Sequence, residues 1–405
     1  MNGRYLEYLL CFVVTTIISV LFMPQIYDIA KNVRAIDDPS ENERKIHKKK
    51  IPRLGGLAIY VSFLLGYAIF GRFMLERNYS MIIVRMEAVL IASFLIVLMG
   101  IFDDISPVRA WKKFAVQIIA ATIVVVRGEF VVTDFDFIID IHFPRYVDSI
   151  FTVLWIVTIT NAINFSDGMD GLAGGLSFIS LMTMAVIGML DNNTYSVVVT
   201  LVSLLLAGSI LGFLPYNFPP AKIFMGDSGA QFIGFMIGVL SVLGYKQAAF
   251  TSFLVPVIIL AVPIFDTIFA FFRRIIKRIP ASVADANHVH HRVLQNTSSA
   301  KESLFWMYGL SIAFSISAIV YSFHKGIGLI VFVFTFLLAE LFLEYFNIIS
   351  VRYTPLLSIL SKIFPSEKRE RRRKERALNT LRHQAEQKKV QAKELQDMRE
   401  QKSKK

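Results

Sequence analysis

The apolar residues of this chain arrive in blocks of roughly twenty, the length of helix that crosses a bilayer. Within hydrocarbon every backbone N–H and C=O must be paired inside its own segment, so such blocks form helices. Eleven are long enough to span: 5–27, 54–72, 82–101, 112–127, 147–163, 171–190, 196–213, 229–245, 250–271, 303–322 and 326–347. Charged residues make up only 18% of the chain, against about 25% in a soluble one. A soluble enzyme and a disordered chain are both excluded, and the expected fold is an all-α polytopic integral membrane protein. The first block has one basic residue before it, Arg4, and no small-residue cleavage site. It is longer than a signal-peptide core and reads as a retained spanning helix. The single cysteine, Cys11, cannot form an intrachain disulfide.

Lysine and arginine set the expected orientation. Connections 28–53, 102–113, 164–170, 214–228, 272–302 and the tail from 348 carry 35 of the 43 basic residues; the opposite side carries 8. Without the tail the ratio is still 18 to 8. The N-terminus is therefore expected outside and the C-terminus in the cytoplasm. A transmembrane unit, 1–350, is followed by a basic tail, 351–405. Residues 362–405 hold 16 Lys/Arg against 7 Asp/Glu. That tail reads as a solvated helix or as a clamp on anionic lipid. No nucleic-acid partner is expected, because no folded reading module accompanies the charge.

Nearly every polar cluster falls in the connections assigned to the inner face. Asp103-Asp104 closes the third block; Asn161, Asn164, Asp167 and Asp170 follow at three-residue steps around the fifth connection. Pro215 to Gly229 contains Lys222, Phe224 and Asp227, and His288-Val-His290-His291-Arg292 lies in the longest inner connection. Adjacent carboxylates stay ionised beside a cation or a lysine. Asp and Asn oxygens suit Mg²⁺, which leans on substrate phosphates, and Lys and Arg bind phosphate oxygens. Glycines at 168, 171, 226 and 229 let backbone N–H groups approach an anion. A Mg²⁺-dependent phosphoryl transferase, with Mn²⁺ as alternative ion, accounts for the set. Each piece also has a plainer reading. Asp103-Asp104 and Asp227 would serve as helix caps, and His290 and His291 as surface residues. The strict alternation of 130–143, with Asp134, Asp136, Asp140 and His142 on one face, reads as an outer interfacial strand or hairpin with a solvated acidic face rather than a metal site. Asp266, near the inner end of the ninth block, is a carboxylate within a span and a functional candidate.

Five motifs occur together: Pro52-Arg-Leu-Gly-Gly56, Phe102-Asp103-Asp104, Asn161-Ala-Ile-Asn164-Phe-Ser-Asp167-Gly-Met-Asp170-Gly, Phe224-Met-Gly-Asp227-Ser-Gly, and His288-Val-His290-His291-Arg292. In this combination and order the chain resembles the polyprenyl-phosphate N-acetylhexosamine-1-phosphate transferases, through to about Phe346. The resemblance implies that a polyprenyl phosphate attacks the sugar-linked phosphorus of a UDP-N-acetylhexosamine, releasing UMP. It implies a bacterial plasma-membrane enzyme with a cytoplasmic-face site, in a family where homodimers are common. Asp103, Asp104 and Asp167 would be catalytic, and Asp227 with Asn164 would bind the metal. Lys48, Lys113, Asn161, Asp170, Phe224, His290, His291 and Arg292 would bind substrate. His-Val-His-His-Arg is similar to the branch that transfers GlcNAc-1-phosphate, whereas the phospho-MurNAc-pentapeptide branch carries three successive histidines. The expected reaction is GlcNAc-1-phosphate transfer to undecaprenyl phosphate. Its alternatives are the MurNAc-pentapeptide reaction and, from another class, secondary transport of an anionic solute.

Overall fold

The computed structural model describes residues 2–38, 50–71, 80–132, 135–136, 140–141, 144–190, 194–246, 254–268, 289–346, 348 and 355–358. Over these the chain is helical almost throughout, as the apolar blocks require. In order, the elements are α1 (Asn2–Asn32), β1 (Ile36–Asp37), β2 (Ile51–Pro52), α2 (Gly55–Gly66), α3 (Ser80–Ile105), α4 (Ala110–Arg127), β3 (Phe135–Asp136) and β4 (Asp140–Ile141). They continue with α5 (Arg145–Ser166), α6 (Leu172–Leu190), α7 (Thr194–Asn217), α8 (Gly226–Lys246), α9 (Leu254–Ile259), α10 (Val289–Gln295), α11 (Ala300–Phe323) and α12 (Lys325–Tyr345). Eight helices among the described residues are long and apolar enough to cross a membrane. The protein is an all-α polytopic membrane protein.

Three of the expected spans take a different form. The second is a 12-residue helix finished by a wider turn at Tyr67–Gly71, and the fourth is the 18-residue helix α4, which carries Lys112 and Lys113 in its first turn. The ninth runs as α9, breaks at Leu260 and is helical again over 261–268. Pro263 explains the break, since it has no N–H to offer the carbonyl of Ile259. The alternating stretch at 130–143 contains a two-stranded antiparallel hairpin, with Phe135 opposite Ile141 and Asp136 opposite Asp140, as its period of two requires. Asp134 and His142 lie outside the described residues.

The helix α8 is the axis of the fold: 94% of its membrane-length stretch is buried, against 28% for α1. Helices α2, α3, α5, α6 and α7 all pack on it. Small residues permit the close approach. A Cβ on Gly56 would lie 2.0 Å from the Gly229 backbone nitrogen, and one on Gly100 would lie 2.3 Å from Ser228 Cα. The first turn of α8 is thus gripped between the start of α2 and the last turn of α3. The N–H groups of Gly55 and Gly56 donate to the carbonyls of Phe224 and Met225, and Phe224 N–H donates to Pro52 O.

The chain divides into two compact units, Met1–His291 with Ser298–Thr335, and Arg292–Thr297 with Phe336–Lys405. Within the second, Asn296 Nδ2 donates to the carbonyls of Arg292 and Phe346, and Glu344 accepts the N–H groups of Leu356 and Leu357.

Candidate active site

The polar motifs converge where α8 begins. Asp104, 5% exposed at the end of α3, accepts the backbone N–H of Asp227 at 2.8 Å, the N–H of Ser228 at 3.1 Å and the Ser228 hydroxyl at 2.7 Å. It caps a helix, but one over a hundred residues away, where a carboxylate meets both orphan N–H groups and the positive end of the dipole. Gly226 permits this: its φ is +73°, and any Cβ there would sit 2.5 Å from Asp104 Oδ2. The two readings of the aspartate pair therefore separate, with Asp104 fixing the turn that presents Asp227.

Asp103 faces the other way. Its Oδ1 accepts the Val108 N–H at 2.7 Å, which closes the turn after α3, and its Oδ2 lies 3.1 Å from Lys113 Nζ. The same ammonium lies 2.7 Å from Asp227 Oδ2, so one lysine bridges carboxylates from two helices. Asp227 also takes a hydrogen bond from Gln231 Nε2 at 2.9 Å. Arg53 approaches from the β2–α2 corner, where Asp37 lies 3.6 Å from its guanidinium. Its charge is felt at Asp104, Asp167 and Asp227. Asp167, just past the end of α5, is held well above the usual carboxylate range, first by burial and then by the charges of Asp227 and Asp104; Arg53 opposes the shift. Among the described residues, the carboxylates of Asp103, Asp104, Asp167 and Asp227 share this region with the cations Lys113 and Arg53.

Other expected site residues are placed as follows. Asn161 hydrogen-bonds Gln117 rather than standing alone, and Asn164 lies three residues further along the same helix. Asp170 Oδ2 accepts the Ala221 N–H at 2.9 Å and ties its loop to the 217–223 turn. Buried Asn217 makes the same tie again by accepting from Gly171 N–H, and it closes the turn by donating to Ile223 O. The hydroxyl of Tyr308 donates to Gly171 O at 2.5 Å. Phe224 contributes its backbone to the β2–α2 corner and leaves its ring partly exposed. Val289 and His291 lie on the seven-residue α10, and Arg292 belongs to the second compact unit. Asp266 is 4% exposed and accepts the Val289 N–H at 2.8 Å, so it tethers the start of the histidine helix. Lys48, His288 and the His290 side chain lie outside the described residues.

Arg53, Gln117, Asn217 and Gln231 were not singled out from sequence. Arg53 stood inside a quoted motif, and Gln117 and Gln231 are polar residues inside apolar blocks, a signal in itself. Nothing local marks Asn217.

A description of glycosyl transferase family 4 matches residues 86–245, which include Asp103, Asp104, Lys113, Asn161, Asn164, Asp167, Asp170, Phe224 and Asp227. The chain is 40% identical over 324 residues to a probable undecaprenyl-phosphate N-acetylglucosaminyl 1-phosphate transferase of Bacillus subtilis, covering 79% of this chain and 86% of that protein. This chain belongs to glycosyl transferase family 4. A second relative, the decaprenyl-phosphate N-acetylglucosaminephosphotransferase of Mycobacterium leprae, is 34% identical over 300 residues, 69% of this chain and 75% of its own. A phospho-N-acetylmuramoyl-pentapeptide-transferase of Lacticaseibacillus paracasei is 29% identical over 248 residues, 57% and 73% of the two chains. Membership accounts for the clustering of acidic and basic groups at one end of a membrane bundle, and these relatives are all bacterial.

Proposed function

We propose that this family 4 protein transfers N-acetylglucosamine-1-phosphate from UDP-N-acetylglucosamine to undecaprenyl phosphate, releasing UMP. The observation that carries the reading is the 40% identity, over 79% of this chain, to the Bacillus subtilis relative. The site faces the cytoplasm, as the Lys/Arg asymmetry of the connections supports. There a membrane-confined lipid phosphate meets a soluble nucleotide sugar.

The residues divide the work. Asp103 lies beside the Lys113 ammonium, able to accept a proton from the lipid phosphate or to orient it. Lys113 and Arg53 would supply positive charge to the diphosphate, and the family resemblance assigns the sugar phosphate to His290 and His291. Asp104 holds the start of α8 in place. The donor set fits Mg²⁺: among the described residues, the hard carboxylate oxygens outnumber the cations beside them. Among the described residues no three His, Cys, Asp or Glu side chains are gathered to hold a metal ion by themselves. Mg²⁺ commonly takes one or two carboxylates, keeps waters and uses substrate phosphates, so no complete cage is needed. Asp227 and Asn164 would hold it, and the ion would supply neutralisation of charge on the transferred phosphoryl group. The MurNAc-pentapeptide reaction is disfavoured by the His-Val-His-His-Arg motif, where the resemblance gives that branch three successive histidines.

The test is UMP release by purified protein with undecaprenyl phosphate and Mg²⁺, comparing UDP-GlcNAc with UDP-MurNAc-pentapeptide. Turnover with UDP-GlcNAc alone is expected, abolished in Asp227→Asn. Turnover only with the pentapeptide donor would overturn the assignment.

A further inference from the structure

Behind Asp227 lies a line of three amides, two of them buried, that phosphoryl transfer does not itself require. Asn161 Nδ2 donates to Gln117 Oε1 at 2.7 Å, Gln117 Nε2 to Gln231 Oε1 at 3.1 Å, and Gln231 Nε2 to Asp227 Oδ2 at 2.9 Å. The helices α4, α5 and α8 each contribute one amide. Gln117 and Gln231 are 3% and 2% exposed, so their polar atoms have this line in place of water. Asn161 is anchored at the far end by a second bond, to Val157 O at 2.8 Å.

The direction of the line is fixed by charge. An ionised carboxylate only accepts hydrogen bonds, so Gln231 must turn its NH₂ toward Asp227 and its carbonyl away. That carbonyl obliges Gln117 to turn its NH₂ inward, and the Gln117 carbonyl then receives Asn161. In a low-dielectric interior each bond polarises the next. The same Asp227 oxygen receives Lys113 Nζ, so two donors from different helices hold one oxygen and set the plane of the carboxylate.

We propose that Gln231 and Gln117 are positioning residues that fix the orientation of Asp227 for cation binding. This rests on the reading of Asp227 as the metal-binding carboxylate. It also makes Asn161 the anchor of the line. The amides act through Asp227.

The experiment uses the full-length protein in detergent, with Gln117→Leu, Gln231→Leu and the double variant. Leucine nearly matches glutamine in size. Gln117→Leu alone strands the carbonyl of Gln231 and lowers the melting temperature. In the double variant both polar partners are gone, and stability returns toward wild type. Function does not return, because Asp227 still lacks its amide donor. The expected double variant melts near wild type, yet kcat falls about tenfold or more, the loss expected for one hydrogen bond to a charged group. KM for UDP-GlcNAc stays within about twofold, and Mn²⁺ binding without substrate, read by electron paramagnetic resonance, weakens about as much as kcat. A merely structural pair would regain activity and stability together, and that result overturns the proposal. So does wild-type Mn²⁺ binding in the double variant, a readout that stands whether or not UDP-GlcNAc is the donor. A wild-type protein that neither binds Mn²⁺ nor turns over any donor overturns both this proposal and the metal role of Asp227.

Discussion

Replacing Gly56 by alanine puts the packing at the start of α8 to a quantitative test. Its Cβ would lie 2.0 Å from Gly229 N and 2.1 Å from Gly229 Cα, against the 3.4 Å at which ordinary contact begins. The obstacle is backbone, which cannot swing aside as a side chain does, so α2 and α8 must part by about 1.4 Å or deform. Gly229 is two residues beyond Asp227, and the N–H groups of Gly55 and Gly56 hold the carbonyls of Phe224 and Met225 just before it. Displacing a catalytic constellation by about 1 Å costs roughly 10²-fold in rate, equivalent to about 2.7 kcal/mol. Overpacking adds a destabilisation of about 1–3 kcal/mol. Gly309→Ala is the control: nothing lies within 4 Å of its added Cβ, and alanine favours the helix. Both proteins are purified, melting temperatures recorded, and UMP release measured per folded molecule at saturating substrates. Gly56→Ala should retain about 1% of wild-type kcat with a lowered melting temperature, and Gly309→Ala should match wild type on both. A Gly56→Ala protein with half or more of wild-type kcat would refute the claim that this contact places Asp227.

Three further outcomes follow from particular contacts. Asp104→Asn brings an NH₂ toward N–H groups that need an acceptor, so it should lower the melting temperature by the equivalent of about 1–3 kcal/mol as well as activity; an inactive variant as stable as wild type would deny the capping role. Asp266→Ala removes the acceptor of the Val289 N–H and should raise KM for UDP-GlcNAc, while Asp266→Asn keeps an acceptor oxygen and should stay near wild type. Equal KM values in the two variants would separate Asp266 from the histidine helix. Because the Asp167 carboxyl is raised in the folded protein, its contribution to stability is fully present below the unfolded value of about 3.9 and is lost as pH rises through the folded one. In EDTA, Asp167→Asn should therefore melt progressively higher than wild type as pH increases through that window; parallel melting curves across pH would contradict it.

The bundle was legible because hydrocarbon length and backbone pairing leave apolar blocks one solution. The hairpin at Phe135–Ile141 was legible from its period of two. The breaks were harder to read: nothing in hydropathy separates a straight span from one interrupted at Leu260, although Pro263 states the reason. Asp103, Asp104, Lys113, Asp167 and Asp227 were identified from spacing and family motifs, and the fold brings them to one place. Their separate tasks were not legible. Asp103 and Asp104 are neighbours in sequence, yet one faces Lys113 and the other caps α8. Likewise Asp170, expected at the substrate, binds the Ala221 backbone. The amides of Gln117 and Gln231 have meaning only once three helices are assembled, since each is defined by a partner 114 residues away or by Asp227 one turn back.

The central claim is transfer of a phosphosugar rather than of a sugar, and a doubly labelled donor tests it most directly. UDP-GlcNAc carrying ³²P at the β-phosphate and ¹⁴C in the sugar is incubated with the purified protein, undecaprenyl phosphate and Mg²⁺, and the lipid fraction is extracted. Both labels should enter the lipid in equal amounts, matched by UMP in the aqueous phase. Lipid carrying ¹⁴C without ³²P, with UDP released, would contradict the account.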